Sequence, residues 1–244
     1  MAQAYLVTGA ARGIGFGLVE ALVQRPGVTV AAAIRDITKK EGVEQLNAKA
    51  AKGSKVVAVQ IRAGNTDDAQ ALPATLSGHG IDHLDAVIAN AGISNYYGTA
   101  ATTPLEEYRD HFEVNTIGLV TLFQSVLPLL EKSQKPIFVY VSSAVASMGQ
   151  PFPLLTSAYG ASKAAANYIL TKIAQENPKL IAFPINPGWV QTDMGNKGAK
   201  SVGMEAAPET VEGSVAGILD RVDNATLEKD SGKFKDYKEG DIPW

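Results

Sequence analysis

Leu6-Val7-Thr8-Gly9-Ala10-Ala11-Arg12-Gly13-Ile14-Gly15-Phe16 joins a short apolar run to an amphipathic one. Glycines at 9, 13 and 15 permit a tight turn and let backbone N–H groups come close to an anion. A helix starting there adds roughly half a positive charge. A chain with 23 glycines must hold several Gly-rich turns that are only turns. A strand before this one and a helix after it give it the form of a pyrophosphate-binding turn of the dinucleotide type.

Outward from that turn, short apolar runs alternate with longer amphipathic ones. The predicted strands are Ala4–Val7, Val28–Ile34, Lys55–Ile61, Leu84–Ala89, Ile137–Val141 and Leu180–Ile185. Most are nearly continuous in hydrophobicity, as strands covered on both faces should be. The predicted helices are Gly13–Gln24, Lys39–Ala51, Asp67–Leu76, Leu105–Leu130 and Ala158–Gln175, with a last one near Glu209–Val222 and a polar tail after it. Such alternation implies right-handed βαβ units and an α/β fold. The expectation is a single-domain Rossmann-type doubly wound parallel sheet over residues 1–244, with helices on both faces. The stretch Asn186–Ala207, rich in Gly and Lys, reads as a long irregular loop after the sixth strand, where such sheets bind ligands.

Composition narrows the function classes. The 244 residues are 45% hydrophobic and 19% charged, with 12 prolines, which is ordinary for a globular domain. No cysteine is present, which excludes disulfides, thiolate catalysis and Cys-type zinc sites and fits a reducing compartment. The formal net charge is −3 and the basic residues are scattered, so no nucleic acid partner is expected. No signal segment and no run of about 18 apolar residues is read, so the expectation is no membrane span and a cytoplasmic location. His79, His83 and His111 read as ordinary surface histidines, and no metal site is predicted. Glu106, Glu107, Asp110 and Glu113 read as a solvated helix face.

The end of the second strand separates two coenzymes. An acid there bonds a ribose 2′-OH, whereas an arginine accommodates a 2′-phosphate. Apolar Ile34 stands where the acid is expected and Arg35 follows. Arg12 from the glycine turn is expected nearby, so two guanidiniums could clamp one phosphate. This favours NADPH/NADP. Alternatively Arg35 pairs with Asp36, which leaves NAD open.

Tyr159-Gly160-Ala161-Ser162-Lys163 places a phenol and an ammonium four residues apart on one helix face. A free tyrosine ionises near pH ~10. A neighbouring cation is expected to bring that down towards working pH, as acid–base chemistry needs. Tyr168 and Lys172 repeat the spacing nine residues on, about half a turn round the helix, so only one pair can face a site. Tyr159 is nearer the strand ends and is the choice. Tyr168 is expected in the core or at a subunit contact.

With these motifs in place the chain resembles the short-chain dehydrogenase/reductase family from Tyr5 to about Met194. The carriers are the loop of residues 8–15, Asn90-Ala91-Gly92 after the fourth strand, Val114-Asn115, Ser142-Ser143 after the fifth strand, the Tyr159/Lys163 pair, and Pro187-Gly188-Trp189-Val190-Gln191-Thr192 after the sixth. The loop, Ile34-Arg35-Asp36 and the Gly-Lys-Phe…Ile-Pro-Trp tail look most like fungal norsolorinic-acid-type ketoreductases. The resemblance implies a catalytic set of Ser143, Tyr159, Lys163 and Asn115. It implies cofactor contacts from Gly9, Arg12, Gly13, Ile14, Gly15, Arg35, Asn90, Gly92, Tyr159, Lys163, Val190 and Thr192.

The reaction it implies is NADPH-dependent reduction of a ketone or aldehyde, with Tyr159 as proton donor and Asn115 supporting a water relay. Alternatives are an NAD(P)-dependent alcohol dehydrogenase working oxidatively, a non-catalytic NADP-binding regulator, or a non-redox isomerase or lyase. The sequence departs from the family at Arg62, where an adenine-binding Asp is usual, so Arg62 is expected to stack on the ring or to face solvent. It departs again in an apolar insert between Ser143 and Tyr159, Gly149-Gln150-Pro151-Phe152-Pro153-Leu154-Leu155. Candidate pocket residues are Ser94, Asn95, Tyr96, Tyr97, Phe152, Leu154, Leu155, Trp189 and Met194, which fit a small hydrophobic carbonyl substrate. The two long helices commonly pair between subunits in this family, so a homodimer or homotetramer is expected.

Overall fold

In the computed structural model, which describes residues 3–244, the apolar runs become strands buried on both faces. These are β1 (Gln3–Thr8), β2 (Val28–Ile34), β3 (Lys55–Gln60), β4 (Ala86–Ala89), β5 (Ile137–Val141), β6 (Ile181–Asn186) and β7 (Lys235–Asp236). They form one parallel sheet in the order β3-β2-β1-β4-β5-β6-β7. The chain winds outward from β1 to β3, then returns to place β4 on the other side of β1. Where the winding reverses, the loops after β1 and β4 diverge and leave a crevice at the strand C-termini. This is the Rossmann-type doubly wound sheet.

The helices are α1 (Gly13–Val23), α2 (Glu41–Glu44), α3 (Thr66–Gly78), α4 (Leu105–Phe112), α5 (Gly118–Leu130), α6 (Ser157–Glu176), α7 (Asp193–Ser201) and α8 (Val211–Asn224). Alternate residues of a strand face opposite ways, so the sheet builds two cores. Tyr5, Val7, Val30, Val139 and Phe183 pack with α1 and α8. Leu6, Ala31, Val87, Phe138 and Tyr140 pack with α3, α5 and α6.

Four expectations are corrected. Lys39–Ala51 is not one helix: α2 has 4 residues and lies between 3-10 turns at Ile37–Lys39 and Gln45–Lys49. Only Val43 and Leu46 are buried there. The Asn47 amide is bonded to both backbone groups of Val56 (3.0 and 2.7 Å), which ties the segment to the β3 edge. Leu105–Leu130 is continuous but wound as a π-turn over Glu113–Ile117. The supposedly irregular stretch holds α7, whose first turn is capped by Thr192 Oγ1 accepting from the Gly195 N–H at 3.1 Å. The polar tail supplies β7, paired to β6 through Ile185 and Asn186.

One side-chain placement also differs, and two open readings narrow. His111 is fully buried, Tyr168 is 67% exposed on α6 and so is not a core residue, and Asp36 bonds Thr38 rather than Arg35. By length and composition Leu105–Leu130 could cross a membrane, with a mean hydropathy of 1.3 over its best window, contrary to the expected absence of any such run. Half of that window is buried in the protein. Its polar His111, Asn115 and Thr116 are bonded to Asn95, Ile93 and Ser162, so here it is a core helix.

Candidate active site

The glycine turn is shaped by close approach rather than by side chains. Gly9 and Gly13 take positive φ (65° and 56°). A Cβ on Gly15 would lie 2.3 Å from the Gly9 carbonyl oxygen and 2.6 Å from Asn90 Nδ2. Asn90 braces the turn from the end of β4: its Nδ2 donates to the Thr8 carbonyl at 2.9 Å, and Thr8 Oγ1 accepts from the N–H groups of Asn90 and Ala91, both at 3.0 Å. α1 has no side-chain cap and no acid in its first turn, so its leading N–H groups are free to receive an anion. Ile14 packs against the α1–α8 core, and Thr192 Cγ2 lies 3.1 Å from the Cβ position of Gly13, which brings the loop after β6 to the turn.

Arg35 is exposed at the C-terminal end of β2 and makes no ion pair among the described residues. Arg12 does not join it; its guanidinium pairs with Asp193 at 2.9 Å, both side chains being exposed. Arg62 is half exposed and forked onto Asp68, with Nε–Oδ2 at 2.8 Å and Nη2–Oδ1 at 2.7 Å. That contact holds Asp68 down at about 2, the Arg62 hydrogen bond being the main cause. The position after β3 is thus a closed ion pair on the first turn of α3.

The other half of the site is α6 and what registers it. Ser162 Oγ donates to the Tyr159 carbonyl at 2.7 Å and accepts from Asn115 Nδ2 at 3.0 Å. Thr116 Oγ1 donates to the Ser162 carbonyl at 2.9 Å. Asn115 Oδ1 accepts from Ile93 N at 2.8 Å, and its Nδ2 also donates to Ile93 O at 3.0 Å. The π-turn turns Asn115 inward to make these contacts, so it clamps α6 to the loop after β4.

Lys163 is buried; its Nζ donates to the Val141 carbonyl at 2.8 Å and lies 5.7 Å from the centre of the Tyr159 ring. No carboxylate lies near it among the described residues. Burial therefore pulls the ammonium down to about 7. Burial also pushes the Tyr159 phenol up to about 12, while the Ser143 hydroxyl beside it pulls the other way. The lowered phenol expected from the spacing alone is not what this arrangement gives, because a dry site disfavours charge on both groups.

The turn that follows Ser143 is held by a contact that no sequence spacing marks. Asn186, the last residue of β6, accepts from the Ala144 N–H at 3.0 Å and donates to Asp236 Oδ2 at 2.7 Å. His111 was likewise misread: Nε2 accepts from Asn95 N at 3.2 Å, Nδ1 lies 2.6 Å from the Glu107 carbonyl, and the ring is edge-on to Tyr159 at 6.4 Å. No spacing signal marks it; only its position one turn before Asn115 does.

The pocket candidates lie on three segments that contact one another in pairs. Gly98 N donates to Leu155 O at 2.7 Å, Trp189 Nε1 donates to Gly195 O at 2.9 Å, and Lys197 Nζ donates to Asn95 O at 2.9 Å above the Tyr97 ring. Tyr97 and Trp189 both approach Gly198 of α7. Phe152, Leu155 and Met194 are exposed, whereas Ser94 is buried and the Tyr96 hydroxyl turns away to the Thr102 carbonyl. Val190 is buried and bridged to Glu209.

A glycine turn braced by Asn90 and a phenol–ammonium pair registered by Asn115 meet at the switch point of the sheet. The model of the short chain dehydrogenase family matches residues 3–202, and the chain belongs to that family of oxidoreductases. It is 44% identical to the norsolorinic acid ketoreductase of Aspergillus parasiticus, over 98% of this chain and 90% of that protein. Among solved structures, the NADPH-bound carbonyl reductase from chicken fatty liver matches with a TM-score of 0.88 at 26% identity, covering 100% of this chain and 94% of that one. The carbonyl reductase Sniffer of D. melanogaster matches with 0.86 at 25% identity, covering 100% of both. The family resemblance carried by residues 5–194 is borne out, as is the narrower one to fungal ketoreductases.

Proposed function

We propose that this enzyme reduces a small hydrophobic ketone or aldehyde with NADPH, and that Tyr159 donates the proton. The observation that carries the reading is the buried Lys163 ammonium, whose Nζ lies 5.7 Å from the centre of the Tyr159 ring. The residues present fit a dinucleotide. Gly15 leaves no room for a side chain, the N-terminus of α1 is uncapped, and Lys163 uses one of three donors on the protein.

When bound, the nicotinamide supplies the hydride. Gly9, Gly13, Ile14 and Gly15 would hold the pyrophosphate on the turn that Asn90 braces, Gly92 would leave room beside Lys163, and Val190 and Thr192 would hold the coenzyme from the β6 side. Lys163 offers its two remaining donors to ribose hydroxyls. Ser143 and Tyr159 point hydroxyls at the carbonyl oxygen, where negative charge develops in the transition state. A phenol held above its usual range stays protonated through neutral pH, and a forming alkoxide is more basic still. Asn115 keeps Tyr159 and Lys163 in register.

The domain reading is one NADP-binding unit, residues 1–244, with the segment around 186–207 as its substrate side. The apolar insert and α7 would cover the substrate, and the exposed Leu105, Ile117 and Tyr168 on the long helices support self-association. A panel of carbonyl compounds with NADPH, followed by loss of the reduced coenzyme, tests the reaction; no turnover with any activated ketone would reject it.

Arg35 carries the coenzyme preference. A guanidinium with no ion pair at the β2 end favours a 2′-phosphate, and the exposed Arg12–Asp193 pair gives up little if Arg12 turns to the same group. Arg35→Asp is expected to weaken NADPH binding by about 30- to 100-fold, the worth of one charge-assisted contact plus like-charge repulsion, and to leave NADH binding near its starting value. Equal losses for both coenzymes would show that Arg35 does not read the 2′ position.

A further inference from the structure

We infer that Tyr140, on β5, is a positioning residue for Lys163: its ring face holds the ammonium from below, and its hydroxyl pins the helix break that carries Asn115. This inference rests on the proposed role of Lys163. Tyr140 is 2% exposed, in the middle of the sheet, where β5 otherwise contributes Ile137, Phe138, Val139 and Val141. A tyrosine there needs a partner for its hydroxyl. It donates to the Asn115 backbone carbonyl at 3.0 Å, at the π-turn where the regular helical hydrogen-bond ladder is interrupted. The ring centre lies 4.4 Å from Lys163 Nζ, closer than the 5.7 Å of Tyr159 and well inside the ~6 Å range over which an aromatic face attracts a cation.

The surroundings of Lys163 give this contact its weight. The groups facing the ammonium are the Val141 carbonyl and Tyr140 from β5, Tyr159 from its own helix, and Gly92, which also lies beside the Asn115 amide. None of these carries a permanent negative charge. A ring quadrupole is then a main source of attraction for the cation, and in a dry site it acts with little screening. Burial already brings Lys163 down to about 7, so a modest loss of attraction changes the fraction charged at neutral pH. The Tyr140 ring opposes that fall, and its hydroxyl is bonded to the Asn115 carbonyl.

The test reads the lysine directly. Protein labelled with 13Cε-lysine is titrated by NMR without coenzyme, and the Lys163 signal is assigned by its loss in Lys163→Met. Tyr140→Phe keeps the ring and is expected to leave the midpoint within a few tenths of a unit. Tyr140→Leu removes the ring and is expected to lower it by about one unit. Because Leu could fail to fold at a packed site, phenylalanines with one, two and three ring fluorines are also placed at 140; they keep the shape while draining the ring face. A stepwise fall of the midpoint with fluorine count supports the inference. A midpoint indifferent to fluorination overturns it, whatever the Leu variant does. Turnover with NADPH is measured on the same proteins. A midpoint that moves in an enzyme reducing no carbonyl compound would sink the proposed reaction and leave the Tyr140–Lys163 contact standing.

Discussion

Tyr159→Phe is expected to lower turnover in ketone reduction by about 10²–10⁴-fold, the range supplied by a positioned proton donor, while NADPH affinity changes by less than about threefold. The substitution keeps the ring that sits edge-on to His111 and near Lys163, so packing is retained. It removes the only proton on that ring able to meet a forming alkoxide. The Tyr159 backbone carbonyl still accepts from Ser162 Oγ, so the register of α6 against Asn115 survives. Steady-state kinetics beside a fluorescence titration of NADPH separates the two quantities. Undiminished turnover would remove Tyr159 from the mechanism. Equal losses in affinity and turnover would make it a binding residue.

Gly15→Ala should act at the other end of the site and through the coenzyme alone. The added methyl would stand 2.3 Å from the Gly9 carbonyl oxygen and 2.6 Å from Asn90 Nδ2. Both belong to the framework of the turn, so neither can swing away as the tip of a long side chain would. Relieving the overlap means moving Gly9 or breaking the Asn90 bond to Thr8, and overpacking of this kind costs about 1–3 kcal/mol. That corresponds to roughly 5- to 150-fold weaker NADPH binding, if the strain is released in the free protein and must be restored on binding. Gly42→Ala is the matched control, since a methyl there meets nothing within 4 Å and the backbone is not left-handed. Unchanged NADPH affinity in Gly15→Ala would mean that the turn does not hold the pyrophosphate.

Much of the site was legible because its parts are local. The glycine turn needs only a strand before it and a helix after it, and Tyr159 and Lys163 need only helical spacing. The same locality produced the errors. His111 read as a surface residue because its neighbours in sequence are polar; it is buried because Asn95, from the loop after β4, donates to it. The stretch containing α7 read as irregular because Gly195 and Gly198 interrupt any apolar period, although Thr192 and Asp193 form an ordinary helix start. A strand at 235–236 was invisible because two residues carry no periodicity, and only pairing with β6 makes them a strand.

Local sequence was enough for the alternation of elements, hence the parallel doubly wound sheet, for the glycine turn and for the phenol–ammonium spacing. Each depends on residues within a few positions of one another, where backbone geometry leaves little choice. The surroundings of that pair and the partners of the arginines came only from the fold. Desolvation of Lys163 and Tyr159 is set by β5 and the π-turn, which are distant in sequence, and it raises the phenol where the spacing alone implied lowering. Likewise Arg12 and Arg62 went to Asp193 and Asp68, while Arg35 has no ion pair among the described residues. Pairing of charges depends on which side chains the fold brings within reach, and no local pattern records that.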